Sequence, residues 1–296
     1  MPTGSHVAAA AQAGTITLGG DLTVNRLGFG AMRITGKGIW GPPADPEAAQ
    51  ATLRRAIELG VNFIDTADSY GPNVSEELIA QTLMPYPRDL VITTKVGWVR
   101  HGAGVWQHNA SPAHIEAALH GSLKRLHLER IDVYQLQIPD PATSFDASME
   151  TLARLREQGK IRHIGLSNVT QEHVERALKI VPIVSVENRY SFSDREWDYL
   201  VDHCEAKGIA FLPWGPMAQG RAADEVIQKI ALDRKVSTAV VSLAWLLRRS
   251  PLMLPIPGTS SVKHLEDNMA AAQFQLTDAE FAELGAVAAK PYWLRV

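Results

Sequence analysis

The chain has 296 residues, of which 46% are hydrophobic, and its formal net charge is -3 at pH 7. This composition is sufficient for one large α/β core or two smaller ones. The small negative charge gives no reason to expect a nucleic acid or an anionic membrane as a partner. Cys204 is the single cysteine, so no intramolecular disulfide can form, as is typical of a reducing cytosol. No stretch approaches the ~20 apolar residues of a membrane span, and we expect a cytoplasmic protein.

The N-terminal part begins with residues 1–14, which lack a charged n-region and a long apolar run. We expect a loose tail there rather than a signal peptide. The run TITLGGDLTVNRLG predicts a β-hairpin around Gly19-Gly20-Asp21. From there on, short β-branched runs alternate with stretches of helical spacing.

The eight candidate strands are LGFGAM, VNFIDTA, LVITTKV, IDVYQLQ, IRHIGLS, IVSVENR, IAFLPW and MLPIPGT. The helical stretches that follow them are PEAAQATLRRAIELG, SEELIAQTL, SPAHIEAALHGSLKRLHL, SMETLARLREQGK, TQEHVERALKI, REWDYLVDHCEAKG, STAVVSLAWLLRRS and SVKHLEDNMAA. Ser75 and the Ser111-Pro112 pair are predicted helix N-caps. Cys204 lies on a predicted helix, which favours an inert, packed thiol.

Eight strand–helix units in one uninterrupted series predict an α/β fold, a (β/α)8 TIM barrel with an N-terminal β-hairpin. A doubly wound sheet is the alternative, but the run from Gly28 to Met32 lacks the third glycine of its phosphate-binding turn. No linker or change of composition interrupts the series. We therefore predict a single domain over residues 1–296.

Four polar residues occur at the ends of neighbouring candidate strands, where a barrel of this kind forms its active site: Asp65, Tyr70, Lys95 and Gln137. A tyrosine with a pKa of about 10 is a weak acid, and a nearby lysine ammonium favours its phenolate. An aspartate beside the lysine keeps that ammonium charged. Each residue alone is more simply explained as a surface ion pair or as packing. Their joint arrangement favours a tyrosine-centred proton donor.

The motifs FIDTADSYG, ITTKVG, VYQLQIPD, IGLSN and IPGTSSVKHLEDN occur in this order. In their order and spacing they resemble the aldo-keto reductase superfamily over nearly the whole chain. The resemblance implies an NADPH-dependent reductase of carbonyl compounds on a (β/α)8 barrel, without a metal. It implies that Tyr70 is the general acid and that Lys95 and Asp65 lower its pKa.

The resemblance also implies a set of cofactor-binding residues. Ser167 and Asn168 match the pair that holds the nicotinamide carboxamide, and Trp214 matches the aromatic residue on which the nicotinamide ring stacks. A turn before the next helix and simple core packing are the alternatives. His264 matches a position that contacts the 2′-phosphate, with an ordinary surface residue as the alternative, and Asn268 matches an adenine contact. The other predicted cofactor-binding residues are Gly30, Ala31, Met32, Glu187, Gly215, Met217, Gly258, Thr259, Ser260 and Ser261.

Three positions depart from the family pattern. Gln137 stands where a histidine is usual, and its amide can donate a hydrogen bond but does not titrate. Glu187 stands where a glutamine is usual, and Gly258 stands where some members have a phosphate-binding lysine, which leaves NADH open. Three explanations compete for Gln137. Tyr70 acts alone with Gln137 as an orienting donor, the substrate is an activated aldehyde or a protonated C=N bond, or catalysis is impaired in an NADPH-binding regulatory subunit.

The segments DSYGPNVSEELIAQTL, HIGLSNVT and IPGTSSVKHL are similar to those of bacterial members such as pyridoxal reductases. Pyridoxal is an activated aromatic aldehyde, which suits a weakened acid pair. Trp40, Trp98 and Trp106 lie in predicted loops after the first and third strands, where they would line the mouth of the barrel. Packing within the loops is the alternative. We expect a monomer that acts on a small-molecule substrate.

Overall fold

The structure is a computed structural model that describes residues 9–216 and 221–287, apart from the side chains of 221–224. The predicted hairpin is confirmed: β1 (Thr15–Leu18) pairs antiparallel with β2 (Leu22–Asn25). Its buried side chains, such as Val24, pack against residues from the inner face of the barrel, such as Phe63 and Val133. The hairpin therefore closes the N-terminal end of the barrel with apolar side chains.

The barrel wall is built from seven parallel strands that hydrogen-bond in the order β3–β4–β5–β8–β9–β10–β11. Their bounds are Phe29–Gly30 (β3), Phe63–Asp65 (β4), Val91–Val96 (β5), Ile131–Leu136 (β8), Ile161–Ser167 (β9), Ile183–Arg189 (β10) and Ala210–Trp214 (β11). These strands correspond to the first seven predicted ones. Nearly every residue in them is buried, which explains their continuous apolar character.

The eighth predicted strand, MLPIPGT, is not a regular strand, although it occupies the eighth position of the barrel. The Leu254 N–H donates to the Phe211 carbonyl at 2.9 Å, and the Gly28 N–H donates to the Pro255 carbonyl at 2.9 Å. This segment thus bonds to β11 on one side and to the residues before β3 on the other, which closes the (β/α)8 barrel. Pro255 and Pro257 have no N–H to donate, so a continuous hydrogen-bond ladder cannot form.

The helices surround the wall in the expected alternation. Their bounds are Pro46–Glu58 (α1), Val74–Leu83 (α2), Pro112–Arg125 (α3), Phe145–Glu157 (α4), Gln171–Leu178 (α5), Asp198–Lys207 (α6), Arg221–Arg234 (α7), Thr238–Arg249 (α8), Val262–Ala270 (α9) and Asp278–Gly285 (α10). The sequence analysis predicted neither α7 nor α10. A capping box between Thr277 and Glu280 begins α10, and this signal is readable in the sequence.

The helix caps agree with prediction at one position and differ at another. The Ser111 side chain accepts from the His114 N–H, with proline at the first helical position, which confirms that cap. The Ser75 prediction is wrong, because α2 begins after Asn73 and Ser75 lies inside its first turn. Ser75 Oγ instead donates to the Ala31 carbonyl at 3.2 Å. This buried hydroxyl fixes α2 to the end of β3.

The predicted N-terminal tail is packed in the part that can be described. Ala9–Ala13 form a 3-10 helix, and the N–H of the buried Ala10 donates to the Leu59 carbonyl at 2.9 Å. Cys204 is fully buried in α6, and burial raises the pKa of its thiol to about 12, which keeps it unreactive. Among the described helices, none has the length and apolar character to cross a membrane.

Candidate active site

The catalytic group predicted from the sequence assembles at the C-terminal end of the barrel. Asp65 ends β4, Tyr70 follows it, and Lys95 lies in the neighbouring strand β5. Lys95 Nζ lies 2.5 Å from Asp65 Oδ2 and 3.4 Å from the Tyr70 hydroxyl. It also donates to the Thr66 carbonyl at 3.0 Å. The ammonium is therefore held by fixed oxygens beside the phenol, as a proton-donor assembly requires.

A second carboxylate belongs to this group. Glu187 Oε2 lies 3.4 Å from Lys95 Nζ. Gln135, which the sequence analysis missed, donates from Nε2 to Glu187 Oε2 at 2.9 Å and to Asp65 Oδ1 at 3.3 Å. Gly165 leaves space beside this amide, because a Cβ at position 165 would lie 2.3 Å from Ser185 Oγ and 3.0 Å from the Gln135 side chain. The buried lysine thus sits between two carboxylates that an amide links.

Burial and charge shift the pKa values in this group. Burial alone would lower the pKa of Lys95, but Asp65 and Glu187 outweigh it and raise that pKa. Burial and the Glu187 carboxylate raise the pKa of Asp65 well above its usual range. Burial also raises the pKa of Tyr70, and the Lys95 ammonium offsets only part of this effect. The expected lowering of the Tyr70 pKa is therefore not found in the protein alone, because burial outweighs the ammonium.

The raised pKa of Tyr70 leads to a prediction for the pH dependence. A raised pKa means that the protonated phenol persists to higher pH, so loss of this proton should not limit a reaction that uses it below about pH 10. We expect the steady-state rate of such a reaction to stay level through the neutral range when it is measured across pH. A decline near neutral pH that coincides with ultraviolet titration of Tyr70 would contradict this.

Gln137 directly follows β8, and its main chain is fixed on both sides. Its N–H donates to the Val96 carbonyl at 2.7 Å, and its carbonyl accepts from Asn168 Nδ2 at 2.9 Å. Its side-chain Oε1 accepts from Ser69 Oγ at 3.1 Å. Ser69 directly precedes Tyr70 in the chain. The amide is thus attached to the segment that carries the tyrosine.

The residues predicted to contact the nicotinamide also come together. Asn168 adopts the left-handed conformation, with φ of 55°, and its Nδ2 donates to Ser167 Oγ at 3.1 Å. Trp214 Nε1 donates to Asn168 Oδ1 at 3.1 Å. This bond orients the indole, which remains 38% exposed and lines a cavity. An exposed, oriented indole face suits stacking by a flat ring.

The cavity has a volume of about 230 Å³ and brings together predicted catalytic and cofactor-binding residues. Predicted residues in its lining are Gly30, Met32, Asp65, Tyr70, Glu187, Trp214, Gly215 and Gly258. The sequence analysis missed Arg33, Pro216, Ile256 and Pro257, which also line it. Ala31 is instead fully buried in the core, so its side chain is not in contact with this cavity. Met217 lies outside the described residues.

A groove of about 550 Å³ adjoins the cavity. The two share Met32, Arg33 and Gly258, and the groove continues over Thr259, Ser260 and Lys37. Within the described part of the chain, neither Arg33 nor Lys37 has a carboxylate within ion-pair distance. A Cβ at position 258 would lie 2.6 Å from the Gly30 carbonyl oxygen and 3.5 Å from Arg33 Cγ. Only glycine therefore fits at 258, and the Arg33 side chain covers it.

The remaining predicted cofactor residues lie on or before α9. Ser261 caps this helix, and its side chain accepts from the His264 N–H. His264 is exposed in the first turn, whereas Asn268 is buried further along. The groove therefore ends at a helix N-terminus, whose free N–H groups and dipole favour an anion.

Two of the three predicted pocket tryptophans lie against one arginine, and the third, Trp98, packs against Trp106. The sequence analysis predicted a loop for Trp98 and Trp106. In the structure they lie in an antiparallel hairpin of β6 (Trp98–Gly102) and β7 (Val105–His108). The sequence signal was the glycine-containing turn between the two runs. The Arg100 guanidinium lies 3.6 Å from the Trp106 ring centroid and 5.7 Å from that of Trp40. Packing on the buried Arg100, which the sequence analysis missed, thus accounts for part of the role of these indoles.

Arg100 also connects the β6–β7 hairpin to the segments that follow β3 and β4. It donates to the carbonyls of Gly38, Ile39 and Ser69 at 3.2, 2.9 and 3.1 Å. No carboxylate of the described residues pairs with it. Within those same residues, no cluster of three or more His, Cys, Asp or Glu side chains is placed to hold a metal ion.

Comparison with known proteins agrees with this site. A family model described as Aldo/keto reductase family matches residues 26–289, so the chain belongs to the aldo-keto reductase family and is an oxidoreductase. An uncharacterized oxidoreductase of Schizosaccharomyces pombe is 46% identical over 277 residues, covering 93% of this chain and 90% of that protein. Pyridoxine 4-dehydrogenase of Escherichia coli is 42% identical over 280 residues, covering 92% and 98%.

A solved structure extends the likeness to three dimensions. An aldo-keto reductase from Klebsiella pneumoniae in complex with NADPH superposes with a TM-score of 0.79 at 26% identity. The match covers 94% of this chain and 96% of that one. Its fold agrees with the closed barrel described above.

Proposed function

We propose that this protein is an NADPH-dependent reductase of an activated aldehyde, in which Tyr70 protonates the substrate oxygen. The observation that carries the proposal is the contact of the Tyr70 hydroxyl with the buried Lys95 ammonium, in a cavity that the Trp214 ring also lines. Reduction adds a hydride to the carbonyl carbon and a proton to its oxygen. When bound, NADPH supplies the hydride.

The residues of the site support distinct roles in this reaction. Tyr70 keeps its proton in the resting protein, because burial raises its pKa. Lys95 supplies a fixed positive charge that stabilises the phenolate left after the transfer. Asp65 and Glu187 hold the ammonium in place. A proton-donor tyrosine of this kind typically contributes a factor of about 100 to 10,000 in rate.

The cofactor fits the cavity and groove taken together. The Trp214 face and the Asn168 amide suit the nicotinamide ring and its carboxamide, and Glu187 can accept from the carboxamide NH2. The groove beyond offers Arg33, Lys37 and the start of α9 for the phosphates. Arg33 would supply a positive charge for a phosphate, which the glycine at position 258 cannot supply.

The groove leads to a prediction for cofactor binding. Arg33→Gln is expected to raise KM for NADPH about fivefold without changing kcat, because an exposed ion pair contributes up to about 1 kcal/mol. Steady-state kinetics at saturating aldehyde test this. Arg54→Gln, at an exposed arginine on α1, is the matched control. An unchanged KM in Arg33→Gln would exclude Arg33 from cofactor binding.

The substrate class rests on two further observations. An aromatic cluster surrounds Arg100: Trp40 and Trp106 lie beside its guanidinium, and Trp98 packs against Trp106. A relative of 42% identity is named pyridoxine 4-dehydrogenase, and the oxidation product of that alcohol is a pyridine aldehyde. We therefore infer that pyridoxal or a similar aromatic aldehyde is reduced. The test compares kcat/KM for pyridoxal with that for a small aliphatic aldehyde. A preference for the aliphatic compound would contradict the inference.

The regulatory-subunit alternative has less support. A protein that only binds NADPH has no need of the buried group of Asp65, Tyr70 and Lys95. Turnover of any aldehyde at a rate that Tyr70→Phe abolishes excludes this alternative. A monomeric state and a cytoplasmic location stay predictions.

A further inference from the structure

The contact between Ser69 and Gln137 determines which end of the Gln137 amide is available to a substrate. Ser69 Oγ lies 3.1 Å from Gln137 Oε1, and both residues are buried. The amide oxygen is thereby occupied. Nε2 has no partner among the described residues, so the free end of this amide is its NH2 donor.

The opposite orientation of the amide is disfavoured. If the amide were turned over, Nε2 would donate to Ser69 Oγ and the hydroxyl proton of Ser69 would lose its acceptor. No other acceptor for it is found in the described residues, and a buried donor without a partner costs about 1–3 kcal/mol. The hydrogen-bond network, rather than the shape of the amide, thus assigns its orientation.

Arg100 adds an electrostatic reason for the same orientation. Its Nη1 donates to the Ser69 carbonyl at 3.1 Å, so a buried positive charge lies on the Ser69 side of the amide. That charge favours the electron-rich oxygen of Gln137 over its NH2 group there. It also raises the energy of any second cation close to Ser69.

We propose that Ser69 is a positioning residue that fixes the Gln137 amide with its NH2 toward the substrate, so that the site selects a neutral C=O acceptor over a protonated C=N donor. This rests on the proposed reductase function and names the substrate class within it. A carbonyl oxygen accepts from both the Tyr70 hydroxyl and Gln137 Nε2. A protonated imine presents an N–H, for which the fixed amide offers no acceptor.

The experiment measures kcat/KM with NADPH for two substrates, pyridoxal and a cyclic imine. The pH of the assay is kept below the pKa of the imine, so that the imine is protonated. Ser69→Ala frees the amide to turn over. The expected result is a loss of about tenfold with pyridoxal and a rise of the imine-to-aldehyde ratio of about tenfold or more, with KM for NADPH unchanged. Ser69→Thr retains the hydroxyl and is expected to restore the wild-type ratio, which a purely structural role would not require.

Two further variants sharpen the test. Gln137→Glu replaces the donor with an acceptor of the same shape and is expected to shift the ratio further toward the imine. Ser148→Ala removes another buried serine hydroxyl, which donates to the Ala110 carbonyl at 2.7 Å, and is expected to leave the ratio unchanged. Thermal melts show whether each variant is folded.

The outcomes separate the two proposals. If wild type reduces pyridoxal but Ser69→Ala and Gln137→Glu keep its imine-to-aldehyde ratio, the assignment of Ser69 is overturned and the reductase function stands. If wild type reduces no substrate of either kind, both are overturned. A wild-type preference for the imine would overturn the selection for a carbonyl directly.

Discussion

Tyr70→Phe is expected to lower kcat for pyridoxal reduction by about 100- to 10,000-fold, since it removes the proton donor and keeps the ring. KM for NADPH should change little, because the packing of the ring at the cavity is retained. Stopped-flow measurement of a single turnover separates the chemical step from product release.

The matched control for this variant is Tyr86→Phe. The Tyr86 hydroxyl donates to the Leu126 carbonyl at 2.9 Å, in a contact between the segment after α2 and the end of α3, and neither residue lines the cavity. Its loss should leave kcat near the wild-type value. If Tyr70→Phe also retained wild-type single-turnover rates, the acid would have to be another group.

Lys95→Met is expected to abolish activity and to lower the free energy of unfolding by about 3–5 kcal/mol, because two buried carboxylates lose their cation. Lys95 is 0% exposed, and both Asp65 and Glu187 are nearly so. Urea unfolding followed by circular dichroism measures the change. An unfolding midpoint equal to that of wild type would show that the carboxylates do not depend on this lysine.

A triple variant distinguishes the electrostatic cause from loss of packing. Asp65→Asn and Glu187→Gln, combined with Lys95→Met, remove all three charges while nearly preserving volume. We expect this variant to recover much of the lost stability but no activity, since neutralising a buried ion pair completely is often tolerated. If stability stayed as low as in Lys95→Met, packing rather than charge would be the cause.

The fold was predictable because the strand and helix patterns repeat in register along the chain. Strands buried on both faces give uninterrupted apolar runs such as LVITTKV, and these were recognised. The eighth position of the barrel is different, since two prolines interrupt its hydrogen-bond ladder. Both prolines are visible in the run MLPIPGT, but the pattern used to predict strands weighed its apolar character and not its missing N–H donors.

The catalytic group was predictable from strand ends alone, because parallel strands bring those ends to one edge. The sequence analysis did not assign Gln135 and Glu187 to this group: it missed Gln135 and expected Glu187 among the cofactor-binding residues. Gln135 pairs with carboxylates from two other strands, which is a contact between residues far apart in the sequence. Nothing in the local sequence around Gln135 carries that information.

The positive groups of the site illustrate a similar limit. Arg33 and Lys37 follow the first predicted strand, LGFGAM, in a segment that the sequence analysis treated as a loop. Their relation to Gly258 depends on how closely the first and last positions of the barrel pack, since a Cβ added at position 258 would lie 2.6 Å from the Gly30 carbonyl oxygen. Arg100 was missed because attention fell on the neighbouring tryptophans, and only the hairpin places its guanidinium between their rings.

The Tyr70 pKa is the one point at which the expected electrostatics and the structure differ. The sequence argument weighed the charges of Lys95 and Asp65 without the burial of the phenol. In the folded protein burial is the largest effect. In the proposed mechanism the tyrosine would therefore enter the reaction as a protonated phenol, and the lysine would act mainly on the phenolate that proton transfer leaves.

We propose that this aldo-keto reductase reduces an aldehyde with NADPH through Tyr70. The decisive measurement is the loss of NADPH absorbance with pyridoxal, for wild type and Tyr70→Phe side by side. We expect steady consumption by wild type, with pyridoxine as the product, and a loss of at least about 100-fold in Tyr70→Phe. Tight NADPH binding by wild type without consumption, on pyridoxal or on any other aldehyde, would contradict it.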